Sequence, residues 1–137
     1  MFHIPSRYLP QKAIVAISDF CETRFVPPEE AYVSAFDRSF LFGDSLYEVA
    51  RTYEGHFFGL KEHLDRLQKS CQLAAFEVMP DLKFIESVIL QTEKKFHEKF
   101  GQQDVYARIV LSRGIGDLNI DRRISSPPYF IVYVKPC

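Results

Sequence analysis

The sequence has little that would tie the chain to a metal, a membrane or a nucleic acid. Its three cysteines, Cys21, Cys71 and Cys137, are odd in number, far apart and never in Cys-x-x-Cys spacing. Neither a disulfide framework nor a zinc site is expected from them, and a reducing cytoplasm fits best. The four histidines, His3, His56, His63 and His97, show no metal-ligand spacing, so no metal is expected. Long apolar runs are missing: AIVAI and FIVYV fall far short of the roughly 20 residues that span a bilayer. Met1 to Pro10 carries charge, histidine and two prolines where a signal peptide needs a continuous apolar stretch, so neither export nor membrane anchoring is expected. An excess of one charge is missing too. The formal charge is −1, and basic residues are interspersed with acids, as in EKKFHEKF at 93–100, which leaves no stripe to track a phosphate backbone. No internal repeat or low-complexity tract is found.

What is present is material for one packed domain. The 137 residues are 47% hydrophobic and 15% aromatic, with 13 Phe and 7 Tyr, a composition that folds. Two β-like stretches, 13–20 and 31–36, flank the Pro27-Pro28-Glu29-Glu30 turn and predict an opening hairpin or meander. Glu54-Gly55 separates the strand-like stretches 47–53 and 56–60, as in a hairpin closed by a primed turn. Helical periodicity follows over 61–76, where Leu64, Leu67, Cys71, Ala74 and Ala75 share a stripe. A second helix is predicted to start at Pro80-Asp81, to bury Ile85, Val88, Ile89, Thr92, Phe96 and Phe100, and to stop at Gly101. Residues 105–112 and 129–134 are near-continuously apolar, as strands in the middle of a sheet are. Strands in hairpins and helices in succession predict a segregated α+β domain, a small antiparallel sheet with two consecutive helices, over a doubly wound parallel sheet. The final Val134-Lys135-Pro136-Cys137 reads as the exit from a strand into a linker, hence a domain boundary.

Three stretches hold the candidate functional residues: DRSFLFGDSLYEVAR at 37–51, LKEHLDRLQKS at 60–70 and VYARIVLSRGIGDLNID at 105–121. The period of a strand puts Tyr47, Val49 and Arg51 on one face, and Tyr106 with Arg108 on one face. From spacing alone these are equally the packed tyrosines and snorkelling arginines of an ordinary half-buried strand, and Arg108 could belong to a structural salt bridge. Glu62 and Arg66, four apart on a helix, read as a surface ion pair. The Arg113-Gly114-Ile115-Gly116-Asp117 turn is not a dinucleotide loop, because Asn119 stands where a last glycine is needed and Pro127-Pro128 arrives before a helix could form.

In combination, over roughly residues 25 to 135, the three stretches resemble the front half of a class IV aminotransferase, a family that works with pyridoxal 5'-phosphate. The resemblance implies that Arg66 of EH-x-x-RL binds the cofactor phosphate, a task suited to the permanently charged, planar guanidinium. It implies that Phe42, Tyr47 and Arg51 line a substrate pocket, and that Tyr106 and Arg108 receive the distal carboxylate of an acidic substrate. It also implies amino acid and 2-oxo acid substrates and a homodimer in which Leu118 and Ile120 form an apolar lid. D-amino-acid aminotransferases place Arg-x-His where Leu118 and Ile120 stand, so a branched-chain-like substrate is favoured. Aminodeoxychorismate lyase and D-amino-acid aminotransferase remain alternatives within the fold, and a non-catalytic assembly module an alternative outside enzymes. Ser39 replaces the glycine usual after Asp-Arg, which matters only if that backbone needs positive φ. The family's lysine that bonds the cofactor lies beyond the stretch that 137 residues cover, and Lys135 lacks its context. The expectation is therefore a single N-terminal domain over 1–137 with no catalytic residue of its own.

Overall fold

The computed structural model describes residues 4–137, so His3 lies outside the described residues. Nine elements build the domain: β1 (Ile14–Ser18), β2 (Thr23–Val26), α1 (Arg38–Phe42), β3 (Ser45–Tyr53), β4 (His56–Phe57), α2 (Leu60–Leu73), α3 (Leu82–Phe100), β5 (Val105–Ser112) and β6 (Tyr129–Pro136). The strands form one antiparallel sheet in the order β2-β1-β6-β5-β3-β4. The two long helices pack on one face of it, α2 over β3 and α3 over β1 and β6. This is the expected α+β architecture, with the most apolar strands, β5 and β6, at its centre.

Local chemistry accounts for most boundaries. Glu54 and Gly55 both take positive φ, 52° and 82°, as a primed turn requires, and β3 and β4 pair across them. Asp81 caps α3 by accepting from the Phe84 N–H at 3.1 Å, and Gly101 ends it with φ 90°. Between helices and sheet lies the core, where Leu67, Ile85, Ile89, Phe96, Ile109, Leu111, Phe130 and Val132 are all but fully buried.

Three expectations need correction. Residues 31–36 are not a strand. Asp19 accepts from the N–H groups of Cys21 and Glu22, at 2.9 and 2.7 Å, closing a tight turn that starts β2 at Thr23. Pro27 and Pro28, which have no N–H, end it. Tyr32, Val33 and Ser34 run on as irregular chain beside Ile17 and Tyr129. α2 stops at Leu73, short of Phe76, because Ala75 turns left-handed (φ 55°) and the Phe76 N–H returns to the Cys71 carbonyl. Finally, Lys135 and Pro136 do not leave the sheet, since β6 pairs with β5 as far as Pro136 against Val105.

Candidate functional site

Because side chains alternate along a strand, the sheet face turned away from α2 and α3 collects Tyr47, Val49 and Arg51 from β3, Tyr106 and Arg108 from β5, and Tyr133 and Lys135 from β6. Arg108 occupies its centre. The ring of Tyr47 lies 4.4 Å from the Arg108 Cζ, and Tyr133 stands directly across from Arg108 in the β5–β6 register. No acidic partner of Arg108 is found among the described residues, so the structural salt bridge allowed by its spacing is not formed there. Burial pushes the Tyr133 hydroxyl up, while the Arg108 cation opposes that shift. Arg51 turns away from this group and stacks on Tyr53 at 4.2 Å, while Tyr106 faces Lys135. The result is a cation flanked by two tyrosines on neighbouring strands, an arrangement suited to a carboxylate. Tyr133 escapes sequence reading because only the strand order brings it beside Arg108.

The opposite face of β3 carries Glu48, 5% exposed among the apolar residues beneath α2. Its carboxylate accepts from Arg66 Nε at 2.7 Å and from Arg66 Nη2 at 2.7 Å. The Nδ1 of His63 lies 2.8 Å from the same carboxylate, which can only accept, so His63 donates. Hydrogen bonds from Arg66, assisted by His63, outweigh burial and hold the Glu48 carboxyl below its ordinary range. Arg66 thus pairs with Glu48 and not with Glu62, which corrects the surface-pair reading; the ion pair of four-residue spacing on α2 is Lys61 with Asp65. Arg66 itself is 66% exposed, with Nη1 directed to no protein acceptor among the described residues, and so retains donors for a phosphate.

A third group lies where β3 begins and β5 ends. Asp37 caps α1 through the Ser39 N–H at 2.9 Å and takes hydrogen bonds from the Ser39 and Ser112 hydroxyls and from Tyr129. Ser39 sits inside α1 at ordinary φ, so the serine costs no strain where a glycine is usual. Asp44 binds two buried cations at once, Arg38 Nε at 3.0 Å and Arg113 Nε at 3.1 Å. The remaining nitrogens of Arg38 donate to the Asn119 and Ile120 carbonyls, those of Arg113 to Ala74 and Ala75. These bonds fasten the 113–128 loop. Phe42, stacked under Arg38, and Ile120 line a cleft of about 820 Å³ together with these arginines. None of Tyr47, Arg51, Tyr106, Arg108 or Leu118 lines it; the structure places the expected pocket residues in two groups, with Leu118 exposed on the loop.

Among the described residues no group of His, Cys, Asp and Glu converges as metal ligands, and no helix is long and apolar enough to cross a membrane. Residues 45–137 match the family model described as amino-transferase class IV. A Methanocaldococcus jannaschii protein named as a branched-chain-amino-acid aminotransferase is 35% identical over 112 residues, 81% of this chain and 38% of the relative. A Staphylococcus aureus D-alanine aminotransferase is 32% identical over 100 residues, 73% of this chain and 34% of the relative. The chain therefore spans less than two fifths of these relatives. Among solved structures, a fold IV transaminase from Curtobacterium pusillum superposes with a TM-score of 0.77 at 20% identity, over 91% of this chain and 43% of that one. A T.th. branched-chain amino acid aminotransferase, solved with N-(5'-phosphopyridoxyl)-L-glutamate, gives 0.75 at 23% identity, over 93% and 41%.

Proposed function

The chain belongs to the class IV aminotransferases, and on that premise we propose that it is the N-terminal domain of an enzyme that moves an amino group between a branched-chain-like amino acid and a 2-oxo acid. The observation that carries this reading is the Arg108 cation, free of any acidic partner among the described residues and set between Tyr47 and Tyr133. Pyridoxal 5'-phosphate, when bound, would supply the electron sink for a substrate carbanion. Arg66, held by Glu48, would take its phosphate. Tyr47 and Arg108 would receive the distal carboxylate of an acidic substrate, and the side chain of an aliphatic one would lie against Val49 and Tyr47 with no distal charge to neutralise. The exposed Leu118 and Ile120, on the loop that Arg38 holds, would close over the active site of the neighbouring subunit in a homodimer. A cytoplasmic setting suits the three free cysteines.

The test is made on the full-length enzyme. Arg108→Met should lower kcat/KM for glutamate and 2-oxoglutarate by roughly ten- to hundredfold, the effect of losing a charged hydrogen bond of about 1.5 to 3 kcal/mol. Leucine and isoleucine should be affected much less. Each half-reaction is followed by cofactor absorbance in single turnovers, and Tyr133→Phe should show the same selectivity at smaller size. Equal losses for acidic and aliphatic substrates would return Arg108 to a structural role.

A further inference from the structure

We propose that Glu48 is the positioning residue of the phosphate site, a buried carboxylate that fixes the Arg66 fork with its unused N–H groups outward. The proposal rests on the reading of Arg66 as the phosphate holder. A guanidinium carries five N–H donors. Glu48 takes one from Nε and one from Nη2, at 2.7 Å each, and Nη2 also stands 3.4 Å from His63 Nδ1, which leaves both donors of Nη1 for a ligand. An arginine two-thirds exposed would ordinarily sample many rotamers, and ordering it on binding would cost part of the affinity. Here the ordering is already done, because Glu48 is immobilised in a paired strand, 5% exposed, and is braced by His63 at 2.8 Å.

The placement also suits a ligand with a phosphate at one end and a reacting group at the other. Glu48 and Tyr47 are sequence neighbours on opposite faces of β3, and β4 pairs with β3 only at Thr52 and Tyr53. Past the Phe58 N–H bond to the Arg51 carbonyl, the β3 edge from Ser45 to Ala50 pairs with no strand among the described residues, so one molecule could engage Arg66 behind the strand and approach Tyr47 in front.

The sign of one substitution separates this role from a plain ion pair. By Coulomb's law alone, removing the negative charge of Glu48 from beside an incoming dianion should tighten its binding. If Glu48 instead positions the fork, the same change should weaken it. The experiment measures the affinities of pyridoxamine 5'-phosphate and of pyridoxamine for the full-length protein by fluorescence titration, in the wild type, Glu48→Gln, Glu48→Asp and Arg66→Ala. Their ratio isolates the phosphate contribution without a covalent bond. We expect Glu48→Gln to lower that ratio by roughly tenfold, the scale of a charge-assisted contact. Glu48→Asp, which keeps the charge but is one methylene too short to hold both nitrogens and His63, should lower it as well. Unphosphorylated pyridoxamine should bind all variants alike, which also shows that they fold. An unchanged or higher ratio in Glu48→Gln, or in Glu48→Asp should the first fail to fold, overturns the proposal. An unchanged ratio in Arg66→Ala would instead remove the phosphate reading itself.

Discussion

Replacing Asp44 with Asn should be among the most destabilising single-atom changes in this domain. Asp44 is the shared anion of two buried guanidinium groups, its side chain 20% exposed and those of Arg38 and Arg113 only 3% and 10%. All other bonds of the two forks run to carbonyl oxygens of residues 74, 75, 119 and 120, so no second carboxylate can take over. Asparagine is neutral, offers one acceptor oxygen and turns an N–H₂ toward a guanidinium, leaving both cations buried without an anion. Breaking a buried pair in this way costs about 3 to 5 kcal/mol. Partial access of water to Asp44 places the expectation at the lower end, about 3 kcal/mol, against a total of roughly 5 to 15 for a domain. With a urea m-value of about 1 to 3 kcal/mol/M, the midpoint should fall by roughly 1 to 3 M at unchanged m. Urea unfolding followed by far-UV circular dichroism reads this directly. Amide exchange over 114–126 should accelerate as well, since Arg38 then holds the loop less firmly. A midpoint within about 0.3 M of wild type would show that the shared anion contributes little and that the carbonyl bonds alone hold the arginines.

Two further outcomes follow from neighbouring residues. Gly114 has φ 132°, and a Cβ there would stand 2.5 Å from the Ser126 carbonyl oxygen, 2.6 Å from its Oγ and 2.9 Å from the Pro127 carbonyl oxygen. Gly114→Ala should therefore cost about 3 kcal/mol through overpacking and backbone strain, and a denaturation midpoint equal to wild type would contradict that. Burial pushes the Asp37 carboxyl up, but hydrogen bonds from Ser112, Ser39 and Tyr129 outweigh it and hold the group below 3.8. A depressed folded-state value means stability that is present above pH 3.8 and lost as pH falls through the folded value. Asp37→Asn should thus lose stability at neutral pH and show a flatter decline below pH 3.8; parallel acid limbs in urea titrations of the two proteins would refute the assignment.

Features with a local cause are legible in the sequence, and those set by contacts between distant segments are not. The Glu54-Gly55 turn, the Asp81 cap and the stripe from Ile85 to Phe96 each depend on residues a few positions apart, and each appears where periodicity and turn chemistry put it. The stretch 31–36 has strand-like composition, but the tight turn at Asp19 gives the partner position beside β1 to residues 23–26 first. Strand period suffices to put Tyr47 with Val49 and Arg51, and Tyr106 with Arg108. It says nothing of which strands are neighbours, so Tyr133 beside Arg108, and Glu48 beneath Arg66, emerge only from the register. The same holds for the Arg38, Asp44 and Arg113 cluster, where Asp44 stands 6 residues from one arginine and 69 from the other. Separation of Phe42 and Ile120 from the Arg108 face likewise depends on how the loop folds back.

On the proposed reading, the roles within β3 divide by parity. Odd-numbered positions, Tyr47, Val49 and Arg51, share the face that carries Arg108, the proposed substrate side, and even-numbered ones, Glu48, Ala50 and Thr52, the buried face beneath α2. A point substitution at an odd position would then alter the proposed substrate side and leave Glu48 in place under Arg66. An inserted or deleted residue in the strand exchanges the two sets at a stroke, putting a carboxylate on the substrate side and a tyrosine under α2. On that reading, diversification through this strand is open to substitutions and closed to length changes, because only the former keep the inward and outward residues in register.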